Sequence, residues 1–331
     1  MLYPSSILFS STLLLGMILT ISSSSWFGAW MGLELNLMSF LALISVKNNQ
    51  YSSESALKYF LIQALASAMV MLSALMINMS LYWAPMILSL SLLLKSGAAP
   101  FHFWFPVVME SLNWPHATIL MTIQKIAPLT LISHLTYSSS LLIKTSILLS
   151  AMVGAIGGLN QTSLRKLLTY SSINHMAWML AALFTSELMW IVYLAVYCLM
   201  VSTITLLFFH QQSFHISSLI TNKSNKMFMK VTTFCSLFSL GGLPPFTGFF
   251  IKWMMIQELN MTFNFFTLFI LLSSSLLTLF FYMRILSFTL LLSHSSPKWM
   301  IIKNNLSLLL PLIIFINFLG LLSPSLPVLT A

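Results

Sequence analysis

Apolar runs of about 20 residues, long enough to cross the hydrocarbon core of a bilayer as helices, follow one another along this chain with only short polar connections between them. We count about eleven: 4–23, 26–46, 56–79, 82–105, 114–136, 140–159, 163–184, 187–210, 229–258, 263–291 and 304–325. In lipid each span has to satisfy its own backbone N–H and C=O groups, which leaves the helix as the form available to single segments. Of 331 residues, 58% are hydrophobic and 6% charged, whereas soluble domains carry about 25% charged residues. The fold expected is therefore all-α and integral to a membrane.

The formal charge of +9 does not point to nucleic acid, because the basic residues are scattered singly between apolar runs without interleaved aromatics. There is no Asp, and the acidic residues are Glu34, Glu54, Glu110, Glu187 and Glu258. Threading the segments alternately across the bilayer sends Lys47, Lys58, Arg165, Lys166, Lys223, Lys226, Lys230, Lys298 and Lys303 to the side of the N-terminus, with Arg284 near that face. Lys144, Glu187 and Glu258 go to the other side. By the positive-inside rule the N-terminus then faces the matrix or the cytoplasm. The opening MLYPSSILFSSTLLLGMILT lacks the basic start and cleavage site of a signal peptide and reads as the first permanent span. Cys198 and Cys235 lie in apolar segments and give neither metal spacing nor a disulfide framework. Twenty-three Met, with Ser in place of charged residues, give a composition resembling proteins made on organellar ribosomes.

Two of the segments carry their own interruptions. In LLLKSGAAPFHFW, Lys95 enters hydrocarbon about halfway along a span and is followed by Gly97 and Pro100, which break the helix. In LSLGGLPPFTGFFIKW, Gly241, Gly242, Pro244 and Pro245 break the long 229–258 run just before Lys252. Broken backbone at membrane depth survives only in a protein interior or beside a hydrated cavity. The broken segments are the fourth and the ninth, so they cross in opposite senses. That is the arrangement of two inverted five-helix repeats, about 4–136 and 140–291, in a single transmembrane domain over 1–331 with an additional C-terminal helix at 304–325.

Four ionisable residues stand at depth: Glu34, Lys95, Lys125 and Lys252. A charge at the centre of a membrane helix costs roughly 2.5–3.5 kcal/mol on insertion scales, so such residues face an interior or a water path. A desolvated lysine loses preference for its charged form, and a nearby carboxylate restores it. A lysine set near Glu34 can thus be switched between holding and releasing a proton, which is the chemistry of a proton pump. Lysine is a poor metal ligand, and no His or carboxylate cluster accompanies these residues. His102, beside the first break, and His175 after it are candidate proton relays, since neutral imidazole passes protons near physiological pH. Gly154 and Gly158 have the small-residue spacing of close helix packing.

Read together and in order, LLLKSGAAPFHFWFP, IGGLNQTSLRKLLTYSSINHMAW and LSLGGLPPFTGFFIKW resemble the subunit 2 family of animal mitochondrial NADH:ubiquinone oxidoreductase, respiratory complex I. The resemblance runs from WFGAWMGLELN to FFYMRILS. It implies an antiporter-like fold, shortened at the N-terminus relative to bacterial relatives, in the mitochondrial inner membrane. It also implies that Glu34 is the glutamate that modulates a neighbouring lysine, and that Lys95, Lys125 and Lys252 are the lysines of the first broken helix, the centre and the second broken helix. NADH, FMN, iron–sulfur clusters and ubiquinone would belong to other subunits of the complex. In agreement, the chain has no glycine-rich dinucleotide fingerprint and no cysteine run for a cluster. The partners implied are other membrane-arm and accessory subunits. Phospholipids, cardiolipin included, are expected from the basic face.

Two other readings stand beside this one. A subunit of an Mrp-type cation/proton antiporter would use the same fold physics without electron transfer. A structural scaffold would use the buried charges only to fix helix register.

Overall fold

Proline in the first turn of a helix loses no hydrogen bond, and in the computed structural model the chain enters its first helix on one, α1 (Pro4–Ser22). α2 (Trp26–Ser45) packs along it at close range because glycines meet at the crossing. A Cβ on Gly32 would stand 2.8 Å from the Gly16 carbonyl oxygen and 2.6 Å from Thr20 Cγ2. The outer face of α1 exposes Leu14, Leu15, Ile18 and Leu19, while Leu13, Met17 and Thr20 are buried. That apolar outside suits lipid tails, which are as apolar as leucine itself.

The structure describes residues 4–45, 50–136, 138–221, 227–291 and 309–318. Lys47, Lys223, Lys226, Lys298 and Lys303 lie outside them, as do both ends of the 304–325 segment. The chain divides into two compact units, 1–150 and 151–331.

The first unit continues with α3 (Gln50–Asn78), α4 (Ala84–Ser96), α5 (Trp104–Ser111), α6 (Trp114–Met121) and α7 (Ile123–Ser133), and α8 (Ser140–Gly158) leads out of it. α3 lies against α2, α4 and α5. Its Lys58 pairs with Glu54 one turn earlier, an exposed pair worth little in solvent. The stretch 114–136, expected as one span, is divided at Thr122, whose φ of −114° and ψ of −74° leave the helical path. The cause is six residues further on. Pro128 has no N–H to give the carbonyl of Gln124, and its ring pushes against that turn. The Thr122 hydroxyl and amide both turn back to the Thr118 oxygen, at 2.6 and 3.0 Å.

In the second unit α9 (Leu164–Ala182) is buried without interruption from Leu167 to Thr169 and from Ser171 to Ala182, so it is a core helix and not a lipid-facing one. α10 (Glu187–Gln211), α11 (Ile216–Thr221), α12 (Met227–Gly241), α13 (Thr247–Met261), α14 (Phe265–Leu291) and α15 (Leu309–Phe318) complete the unit. The end of α8 meets α9 at Gly154, where a Cβ would be 2.6 Å from the Asn174 nitrogen, and meets α14 at Gly158, where it would be 2.7 Å from the Phe281 ring.

Among the described residues, six helices are long and apolar enough to cross a membrane: α1, α2, α3, α8, α10 and most of α14. The many serines inside them cost little, because their hydroxyls bond the carbonyl one turn back. Ser73 to Val70 at 2.8 Å, Ser91 to Leu88 at 2.7 Å and Ser236 to Thr233 at 3.0 Å are examples. The described residues hold no strand beyond a single bridge between Ser163 and His215.

Candidate proton sites at two helix breaks

In the first unit α4 stops after Ser96 because Gly97 turns into the left-handed region at φ +72°, which glycine enters without steric cost. Its N–H and that of Ala98 close back on the carbonyls of Leu94 and Leu93. Carbonyls at the break also take side-chain donors. Trp104 Nε1 donates to the Leu94 oxygen at 3.2 Å, and Gln63 Nε2 to the Lys95 oxygen at 3.4 Å. A break at membrane depth is thereby satisfied from within the protein, by α3 and by the start of α5. Gly97 is packed as well as bent, since a Cβ there would meet the Trp104 ring at 3.3 Å.

Beside this break lies a cavity large enough to admit water, and Lys95 and Lys125 both line it. Lys95 and Ser96 face it from α4, Gln124, Lys125 and Pro128 from α7, Gln63 and Tyr59 from α3, and Asn36 from α2. Both lysines are buried. The Lys125 ammonium stands 5.5 Å from the centroid of Phe105, whose ring face attracts cations. Glu34, half-buried on α2, is near enough to act electrostatically on Lys95, but the two do not touch as an ion pair. Gln124 donates to Asn36 Oδ1 at 3.0 Å and so ties the turn that carries Lys125 to the turn that carries Glu34. A pair that is close without being closed can change charge state without first breaking a hydrogen bond. His102 is buried against the Phe103 ring at 4.1 Å and is not among the residues that line this cavity.

In the second unit α12 ends at Gly241, and Gly242 follows at φ +80°. Lys252, buried on the second turn of α13, reaches back across the break and donates to the Gly241 carbonyl at 2.8 Å. Here the lysine itself satisfies the broken helix. Gly242 leaves room for it, because a Cβ there would be 2.9 Å from Lys252 Cδ and 3.1 Å from Nζ. Pro244 and Pro245 are exposed, in the turn before α13. His175 sits in the buried face of α9 with Nδ1 2.9 Å from the Tyr193 hydroxyl and its ring 5.1 Å from that of Tyr197.

Several of these partners carry no signal in the sequence. Asn36, Gln63 and Gln124 are uncharged amides inside apolar runs, and Trp104 and Tyr193 read as lipid-interface or packing aromatics. For Gln63 and Trp104, only the carbonyls at the first break, once located, show why such donors are present. Among the described residues no group of three or more His, Cys, Asp or Glu is placed to hold a metal ion.

The sequence model of the NADH:quinone oxidoreductase/Mrp antiporter transmembrane family matches residues 23–278. NADH-ubiquinone oxidoreductase chain 2 of Anopheles gambiae is 46% identical over 307 residues, covering 90% of this chain and 89% of that protein. The Aedes aegypti protein of the same name is 45% identical over 329 residues, covering 95% of each. Among solved structures, a chain of respiratory complex I from Thermus thermophilus aligns with a TM-score of 0.84 at 24% identity, covering 97% of this chain and 79% of that one. A chain of the Mrp complex from Dietzia aligns with a TM-score of 0.68 at 15% identity, covering 83% of this chain and 58% of that one. At such identities the structural likeness speaks to the fold, which is antiporter-like.

Proposed function

The chain belongs to the NADH:quinone oxidoreductase/Mrp antiporter family, and within it to the chain 2 proteins of NADH-ubiquinone oxidoreductase; from that premise we propose which of its side chains carry protons. Its role is proton translocation as a membrane-arm subunit of that enzyme complex. Lys95, Lys125 and Lys252 hold and release the protons, Glu34 sets the hold of Lys95, and His102 and His175 relay. The observation that carries this reading is the cavity that Lys95 and Lys125 share. Water in that cavity joins the two ammonium groups, and a change at Glu34 alters which of them keeps a proton. Gly97 and Pro100 on one side, and Gly242, Pro244 and Pro245 on the other, keep the helices broken so that carbonyls and lysines share polar space. NADH, FMN, iron–sulfur clusters and ubiquinone are held by other subunits, and this chain contributes no redox group.

The finer architecture follows the same reading. About eleven spans form two inverted five-helix repeats and a C-terminal helix in the mitochondrial inner membrane, with the N-terminus in the matrix. Cardiolipin and other phospholipids meet the basic matrix face. Single cysteines at Ser186, before α10, and at Ser224, outside the described residues, should react with an impermeant thiol reagent from opposite faces. Reaction of both from one face contradicts the topology.

Isolated from its native membrane in mild detergent, the chain is expected to bring flavin- and iron–sulfur-bearing subunits with it. Recovery with cation/proton antiporter subunits and no redox partner would support the Mrp-type reading instead.

A further inference from the structure

Around the second helix break stand buried polar atoms that have no hydrogen-bond partner among the described residues. Asn317, on α15, is 0% exposed, and among the described residues neither its Oδ1 nor its Nδ2 has a hydrogen-bond partner. Thr247, the first residue of α13, has a buried Oγ1 in the same condition. The two belong to one neighbourhood. The ring of Phe246, adjacent to Thr247, lies 5.2 Å from that of Phe318, adjacent to Asn317, and α15 packs against both α12 and α13. A carboxamide brings two donors and an acceptor with two lone pairs. Buried with none of them used, it is among the costliest groups an interior can keep, and an apolar side chain of similar size would fit the same space without that cost. Water relieves it, where two or more polar groups converge on a site.

We propose that the break between α12 and α13 holds bound water, kept by the Asn317 amide and the Thr247 hydroxyl, and that Lys252 exchanges its proton with this water. The α15 helix is then part of the proton site and not a packing addition. Lys252 stands five residues beyond Thr247 on the same helix, with its ammonium on the Gly241 carbonyl at the end of α12, so lysine and water share the polar space of one break. The second half of the proposal rests on Lys252 being a proton carrier; the first half does not.

X-ray footprinting of the assembled complex separates the two, because radiolysis of bound water oxidises side chains beside it even where bulk solvent does not reach. Phe246 and Phe318 are expected to be oxidised readily in the wild type, severalfold less in Asn317→Leu and in Thr247→Val, and as in the wild type in Asn317→Ser, which keeps a donor and an acceptor. Unmodified Phe246 and Phe318 in the wild type would overturn the water site. Proton uptake in sealed vesicles tests the other half. Asn317→Leu and Thr247→Val should lower it severalfold, with recovery in Asn317→Ser. Wild-type uptake by variants that have lost the footprint overturns the exchange with Lys252. Wild-type uptake by Lys252→Met would instead strike the lysine reading and leave the water site standing.

Discussion

Lys95→Met is expected to slow the proton step at the first break by roughly 100-fold, the lower end of what a positioned donor or acceptor contributes to proton transfer. NADH-driven quinone reduction should fall with it, since a coupled machine does not turn over freely once a proton site is lost. Lys95→Arg should be nearly as harmful. It keeps the charge, but a guanidinium does not give up its proton in a protein. Glu34→Gln should impair turnover less than Lys95→Met, because it detunes a site without deleting it. The double change should fall short of the sum of the single effects by about 0.5–3 kcal/mol, the range found for residues that interact. Steady-state NADH oxidation by the four forms in membranes measures this cycle. Strict additivity would mean that the electrostatic reach of Glu34 to Lys95 has no part in turnover.

Gly248→Ala should prevent the second unit from packing. A Cβ at Gly248 would stand 1.7 Å from the Ser239 carbonyl oxygen and 2.9 Å from its carbon, both of them backbone atoms of α12 that no rotamer can move. About 1.7 Å of separation is needed to reach the 3.4 Å at which ordinary contact begins. Overpacking of this kind costs typically 1–3 kcal/mol and more where backbone has to shift. The same shift moves Lys252, one turn along α13, away from the Gly241 carbonyl that holds it, and misplacement by about 1 Å can cost about 100-fold in rate. Gly241→Ala is the matched control, because a Cβ there meets Tyr282 at 3.6 Å, an ordinary contact. On native gels Gly248→Ala should show little assembled complex and Gly241→Ala a near-normal amount. Equal amounts of the two would mean that α12 and α13 do not approach so closely.

The sequence made the breaks visible because glycine and proline act on their own backbone. Gly97 and Gly242 each stop a helix whatever lies around them. What each glycine touches was not visible: the closeness of Gly242 to the Lys252 side chain, or of Gly248 to Ser239, depends on how two helices cross. Spacing along one helix does not encode that crossing. The division of the fifth segment at Thr122 escaped for a related reason. Pro128 was plain to see, but its effect reaches six residues upstream, to Thr122, a residue with no breaker character of its own. The lysines drew notice through the cost of charge in hydrocarbon. Their amide neighbours Asn36, Gln63 and Gln124 carry no charge and so stood out against nothing. His102 lies next to the first break in sequence, yet the turn from Gly97 to Trp104 takes its ring to Phe103 and not to the cavity of the lysines. The burial of α9 did leave a trace, since Thr169, Ser171, Ser172, Asn174 and His175 make it more polar than the helices that expose leucines outward.

Proton uptake per NADH oxidised, measured in sealed vesicles holding the assembled complex, tests most directly whether these buried lysines move protons. Lys95→Met, Lys125→Met and Lys252→Met are each expected to depress uptake and oxidation together, with recovery in none of the arginine replacements. Uptake and oxidation at wild-type rates in all three methionine variants would leave the lysines as supports for helix packing and no more.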